Sequence, residues 1–195
     1  MSQFIESICC IDGEIHNLTL HQKRVNNTFE HFFDQRPISL KEIIKEVPKT
    51  GKHKCRIVYD EANIKVEFIA YQKRHIKSLK IIEGNHIKYD FKYENRLELT
   101  SLFEQRGNCD DIIIVKNGML TDSYFANLAF FDGMNWLTPK KPLLNGTKRQ
   151  LLIQQGKLTE ADISLNSLNT FCYVSLINAM LDLEEVVVQM DRIYS

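Results

Sequence analysis

Long apolar runs, net charge and paired cysteines are all missing from this 195-residue chain, and each absence removes a class of function. No stretch approaches the roughly 20 apolar residues of a membrane-spanning helix, and the polar start "MSQFIES" lacks the charged-then-apolar order of a signal peptide. The sequence therefore predicts a cytoplasmic protein that is not held in a membrane. Basic and acidic side chains balance at 25 each, so the general attraction to nucleic acid or anionic lipid that a strongly basic chain would have is absent. No nucleic-acid partner is expected. The five cysteines (Cys9, Cys10, Cys55, Cys109, Cys172) include no C-x-x-C spacing, so neither a zinc clasp nor a dithiol redox centre is indicated. They read as reduced thiols in core or strand positions, and no metal is implied.

What is present is apolar enough to fold. A hydrophobic fraction of 44% over this length can bury a substantial core, as one large domain or two small ones. The opening "FIESICCIDGEIHNLTL" alternates apolar and polar residues around Asp12-Gly13, the pattern of a β-hairpin. "TLHQKRVNNTFEHFF" then places Leu20, Val25, Phe29, Phe32 and Phe33 near helical spacing and is stopped by Pro37. A second helix is expected in "ISLKEIIKEVP" with Ser39 as its cap, then a strand pair, "HKCRIVYD" and "IKVEFIAY", across "EAN". The most basic segment, "QKRHIKSLK", marks the boundary between a small N-terminal half, 1–80, and a larger C-terminal half, 81–195. A solvated connector or edge strand accounts for its lysines more simply than a nucleic-acid patch.

The second half opens with "HIKYDFKYENRLEL", which reads as a strand with aromatic neighbours around Lys92 that hands over to a helix ending at Gly107. Hairpin signals follow at Asn117-Gly118 and Asp132-Gly133, and "TFCYVSLINAML" is a further apolar strand. "LLNGTKRQLLIQQGK" sets a Gly-Thr turn before a short helix, and "LTEADISLNSLNT" holds a second short helix. The class is α+β.

Three features carry chemistry. A helix beginning at Thr147 after Gly146 presents unpaired N–H groups and the positive end of its dipole, which suits either a simple cap or a phosphate. Asp122 follows a hairpin in apolar surroundings, where a carboxylate is either a turn residue or is met by a cation or hydrogen-bond donors. Arg24 stands beside His21 in "HQKR", by default a surface ion pair. A lysine in apolar company, a carboxylate and a phosphate seat are together what pyridoxal phosphate chemistry requires.

In order along the chain, six stretches resemble motifs of the class IV, or fold type IV, pyridoxal-phosphate enzymes. This group includes the branched-chain and D-amino-acid aminotransferases and the aminodeoxychorismate lyases. "IESICCIDG" resembles the opening F-E-T-x-R-x-x-D-G strand, and "LHQKR" resembles H-x-x-R, whose arginine reaches the cofactor phosphate. "FKYENRLE" resembles the K-x-x-N-R-L-E around the lysine that carries the cofactor, most like the lyase branch. "GMLTDSYFANLAFF" resembles G-x-x-T-E-x-x-x-x-N-L-F-F, and "LTPKKPLLNGTKRQLL" resembles T-P-x-x-x-x-L-x-G-x-x-R, the phosphate-binding helix start. "SLINAML" resembles the family's last phosphate-side strand.

The resemblance implies a D-amino-acid aminotransferase-like fold, a small α/β sandwich half and a larger barrel-like half, with pyridoxal 5′-phosphate between them and a homodimer completing the site. It implies Lys92 as the catalytic, cofactor-carrying residue. Arg24, Asn127, Gly146, Thr147, Asn178 and Ala179 are implied as cofactor contacts, and Asp122, in place of the usual glutamate, as the partner of the ring nitrogen. Ser7 takes the place of a hydroxyl residue that assists proton delivery, or is a plain strand serine. Measured against the family pattern the chain starts almost at the second strand, so part of the substrate-recognising wall is expected to be missing. The small-molecule amino substrate is most simply 4-amino-4-deoxychorismate, cleaved to pyruvate and 4-aminobenzoate in a step of folate biosynthesis. Transamination of a D- or branched-chain amino acid is the alternative, and a cofactor-binding protein with little turnover is a third reading.

Overall fold

A computed structural model describes residues 2–195, and the chain forms two compact units. The first takes in residues up to Gln72 together with Phe91–Asn95, and the second Lys73–Asp90 with Arg96–Ser195.

In the first unit, strand β1 (Phe4–Ile11) turns at Asp12 and Gly13, with φ of 49° and 87°, into the short β2 (Glu14–Ile15). Both values lie in the left-handed region, as a two-residue turn matched to the sheet twist requires. The expected hairpin is present. Helix α1 (Leu18–Phe32) follows, burying Leu20, Val25 and Phe29 as the spacing predicted, while Phe32 stays 39% exposed. The second helix is shorter than expected: α2 covers only Leu40–Ile43, and the Ser39 side chain does not cap it. Strands β3 (Lys52–Tyr59) and β4 (Ile64–Ala70) pair antiparallel and complete a sheet of order β2-β1-β3-β4. Its core joins Phe4, Ile8 and Cys10 of β1 to Val25 and Phe29 of α1 and to Cys55, Ile57 and Tyr59 of β3.

The stretch around Lys92 is not the regular strand that its aromatic alternation suggested. Beyond the end of β2, the same edge of β1 is taken up by Lys92–Glu94. The Ile5 N–H donates to Lys92 O at 2.9 Å, Glu94 N–H donates to Gln3 O at 2.8 Å, and Tyr93 bridges Phe4. Two bonds and one bridge are too few for a strand, but they fix the main chain of Lys92 on the edge of β1.

The second unit holds two sheets. Strand β5 (Leu79–Glu83), which the basic character of its approach concealed, runs parallel to β6 (Asp111–Lys116). Helix α3 (Leu97–Glu104) comes between them in sequence, followed by Gly107 at φ 60°. The Asn117-Gly118 turn, at φ 51° and 76°, returns β6 into β7 (Met119–Leu120). Strands β8 (Asn127–Phe131) and β9 (Trp136–Pro139) form the next hairpin, closed by a four-residue loop in which Asp132 Oδ1 accepts the Met134 and Asn135 N–H groups. Helix α4 (Thr147–Gln154) precedes β10 (Thr159–Ala161), where a helix was expected; the helical part of that stretch is a 3-10 turn, Leu165–Thr170. Strands β11 (Tyr173–Ile177), β12 (Val187–Gln189) and β13 (Ile193–Tyr194) end the chain.

The sheet orders are β10-β9-β8-β11-β12 and β13-β5-β6-β7. Bonds from Leu120 N to Ile163 O and from Leu165 N to Gly118 O, each 2.9 Å, stitch β7 to the segment after β10. The architecture is α+β, as the sequence predicted. Cys9, Cys10 and Cys55 are buried, and all five thiols are free.

Candidate active site

The sequence-predicted residues fall into two groups, one in each unit. Lys92, Arg24 and Ser7 belong to the first; Asp122, Asn127, Gly146, Thr147, Asn178 and Ala179 belong to the second.

In the first unit the organising residue is one the sequence reading passed over. Glu6 lies on the same face of β1 as Phe4 and Ile8, with no exposed surface. A carboxylate there is costly unless it is matched. Arg24 matches it from α1 with two parallel bonds, Nε to Oε1 at 2.7 Å and Nη2 to Oε2 at 2.6 Å. His21, one turn earlier on the same helix face and fully buried, brings Nδ1 to 2.6 Å from Oε2. Burial by itself would raise the Glu6 pKa, but the Arg24 charge and the bonds from Arg24 and His21 outweigh it and hold the carboxyl at about 2. His21 moves below its ordinary value, mainly through burial, which the Arg24 and Lys92 charges reinforce and the Glu6 contact opposes. Neutral His21 thus donates Nδ1–H to a permanent carboxylate. The "HQKR" stretch is therefore a buried clamp on β1, not a surface pair.

Lys92 is half-buried, with its main chain on the β1 edge and its side chain within electrostatic reach of His21. Phe91 and Tyr93, its neighbours, pack against the core of the unit. Ser7 is half-buried and alternates with Glu6, so it occupies the opposite face of β1.

In the second unit Asp122 is buried at the bridge between β7 and the start of β8. Its Oδ1 accepts from Asn127 Nδ2 at 2.8 Å and its Oδ2 from Leu144 N–H at 2.9 Å. The same Asn127 amide donates to Leu144 O at 2.8 Å, so one side chain ties the acid to the loop before α4. Burial pushes the Asp122 carboxyl up to about 7, against the pull of Leu144 N–H, Asn127 and the Arg149 charge. Such an acid is poised to meet a cationic N–H.

The packing explains Gly146. A Cβ at this position would stand 2.0 Å from Asn127 Oδ1, so any side chain would dislodge the residue that holds Asp122. Gly146 also opens α4 without a side-chain cap and with no acid in the first turn, which leaves the helix start suited to an anion. Thr147 is buried as the first helical residue. Arg149, the arginine of the G-x-x-R spacing, is a buried staple, bonding Asn145 Oδ1, Pro139 O and Glu160 Oε1. Asn178 shapes the turn after β11: its Oδ1 accepts Met180 N–H and Leu181 N–H at 2.8 and 3.0 Å, placing half-buried Ala179 at the tip.

Taken unit by unit, the groups are of the kinds pyridoxal 5′-phosphate requires: in the first an amine near a cationic clamp, and in the second a buried acid with a raised pKa and a helix start opened by a glycine that tolerates no Cβ. The Asp122 geometry has a measurable consequence without cofactor. Its folded pKa of about 7 against an ordinary 3.8 means the folded state binds the extra proton between those values, so stability falls as pH rises through that window. From pH 5 to 7.5 the apoprotein should lose about 2 kcal/mol that Asp122→Asn does not lose. Urea midpoints of both proteins at the two pH values check this, and parallel slopes would refute it.

Comparison with known proteins agrees with this chemistry. The profile of the family described as amino-transferase class IV matches residues 3–187. An uncharacterized protein of Haemophilus influenzae is 32% identical over 185 residues, covering 92% of this chain and 98% of that protein. The crystal structure of a protein from Haemophilus somnus 129PT, named as a candidate 4-amino-4-deoxychorismate lyase, superposes with a TM-score of 0.88 at 31% identity. It covers 94% of this chain and 98% of that one. A hypothetical aminotransferase of Mycobacterium tuberculosis in its PLP-bound form shares the fold, with a TM-score of 0.77 at 14% identity over 98% of this chain and 81% of that one. The chain belongs to the class IV aminotransferase family, whose members depend on pyridoxal 5′-phosphate and act on small-molecule amino substrates.

Proposed function

We propose that the protein is a pyridoxal-phosphate-dependent enzyme that eliminates pyruvate from 4-amino-4-deoxychorismate to give 4-aminobenzoate. The observation that carries this reading is the end-to-end likeness to the Haemophilus somnus protein, together with the lyase-like "KYENRLE" around Lys92.

Each residue's role is argued from its own surroundings. Lys92 holds the cofactor covalently and, once released, moves the proton at the substrate carbon through its Nζ. Bound cofactor supplies an electron sink at a protonated ring, and Asp122 keeps that ring nitrogen protonated by offering a carboxylate. Asn127 and Leu144 N–H hold Asp122 in place. Gly146 and Thr147 offer the helix start to the phosphate, as does the turn of Asn178 and Ala179, and Arg24 adds its charge. Its Nε and Nη2 donate to Glu6, which fixes where that charge stands. Ser7 is assigned proton delivery. The reading carries a homodimer, to be checked by sedimentation. It also carries a cytoplasmic address, supported by five free thiols and by the absence, among the described residues, of a helix able to cross a membrane.

Transamination is the second reading, favoured by the family match itself. A product assay separates the two. A lyase will release pyruvate and 4-aminobenzoate in equal amounts from 4-amino-4-deoxychorismate with no keto acid added. A transaminase will consume an amino donor only when a keto acid is supplied. Cofactor fixed on Lys92 with neither product formed would put the low-turnover binding reading first.

A further inference from the structure

The basic segment that the sequence reading left as a connector meets two other cations in the second unit. Lys77 from the approach to β5, Lys80 from β5 itself, Arg106 from just after α3 and Arg192 from the 3-10 turn before β13 line one open cleft of about 680 Å³. The volume is that of a small-molecule site. No acidic side chain lines it. None of these four cations pairs with an Asp or Glu side chain among the described residues, although Arg56, Lys148 and Arg149 all find carboxylates. Of the nearby acids, Asp110 is spent on Lys77 N–H, Ser78 N–H and the Ser78 hydroxyl, while the Tyr194 hydroxyl together with Asp191, the neighbour of Arg192 in sequence, raises the Arg192 pKa.

Arg106 is held in place, its guanidinium 4.0 Å over the Phe103 ring and bonded to Phe103 O. Lys80 reaches the Ser195 oxygen. Tyr194, 42% exposed, gives the cleft an aromatic wall. Four like charges converge here from three segments of a chain with no net charge, offset only by the Ser195 oxygen on Lys80 and by Tyr194 and Asp191 beside Arg192, so an entering anion meets an excess of positive charge. The cleft shares no residue with the candidate active site.

We propose that this cleft binds a small polyphosphate anion of the nucleoside di- or triphosphate class. The cations receive the phosphates, and Tyr194 stacks on the base. The test is calorimetric titration of the protein, preloaded with pyridoxal phosphate, with ATP and separately with inorganic triphosphate. ATP should bind at one site per chain. The variant Lys77→Glu/Arg192→Glu should weaken that binding at least tenfold, while Lys45→Glu/Lys49→Glu, the same charge change on exposed residues of the first unit, should leave it unchanged. ATP binding tighter than triphosphate, with the difference lost in Tyr194→Ala, supports the nucleoside class. Equal binding of the two assigns the cleft to polyphosphate alone and overturns the stacking role. No saturable binding, equal weakening in both charge variants, or much tighter binding of a single-stranded RNA oligonucleotide would overturn the proposal.

Discussion

Lys92→Ala should abolish covalent cofactor attachment and lower turnover on the order of a thousandfold or more, because one side chain both anchors the cofactor and moves the proton. The fold should survive. The Lys92 carbonyl accepts the Ile5 N–H, and that bond does not depend on the side chain. Borohydride reduction of the wild type supplied with pyridoxal phosphate should leave one adduct, on the peptide containing Lys92, and none in the variant. The competing lysines are poorly placed. Lys116 Nζ donates to Ile87 O at 2.6 Å, and Lys88 is exposed to solvent rather than set in apolar surroundings. An adduct on either, or an unchanged melting temperature shift on adding cofactor to Lys92→Ala, would move the anchor elsewhere.

What the sequence made legible was local. Asp12-Gly13 and Asn117-Gly118 announced their turns because only a narrow set of residues accepts positive φ twice in succession, and both turns sit where they were expected. Strand β5 was hidden because Lys77 and Lys80 lend a buried parallel strand the look of a solvated connector; its pairing with β6 is set by residues some thirty positions away. The same divide runs through the candidate site. Lys92 and Gly146 stand in runs of neighbours with a recognisable pattern. Glu6 does not, because its meaning lies in the register that puts it on the inner face of β1 opposite a helix beginning at Leu18. A carboxylate alternating with Phe4 and Ile8 was the available signal. Asn127, expected to touch the cofactor, also ties Asp122 to Leu144, a relation no spacing could encode.

Glu6→Gln and Arg24→Ala should each destabilise the protein by roughly 3–5 kcal/mol, since each leaves a buried charge without its partner. At this chain length that is on the order of ten degrees in melting temperature. For Arg24→Ala the stability loss accompanies a fall in cofactor affinity of about tenfold to a hundredfold, the worth of one charge-assisted contact. The double variant Glu6→Gln/Arg24→Ala removes both charges together and should be more stable than either single change, giving a coupling on the order of 3 kcal/mol in a double-mutant cycle. Acid sharpens the distinction. Glu6 titrates at about 2 when folded against an ordinary 4.5, so its contribution is complete above pH 4.5 and drains away as pH falls toward 2, on the order of 3 kcal/mol in all. His21, also depressed, adds a loss of the same sign beginning below about pH 6.5. Wild-type protein should therefore lose stability steeply between pH 4.5 and 2, and the double variant should show a shallower loss over that interval. If the single and double variants follow the same acid curve as wild type, the Glu6 carboxylate is not the anion that the clamp was built around, and Arg24 must be held by something else.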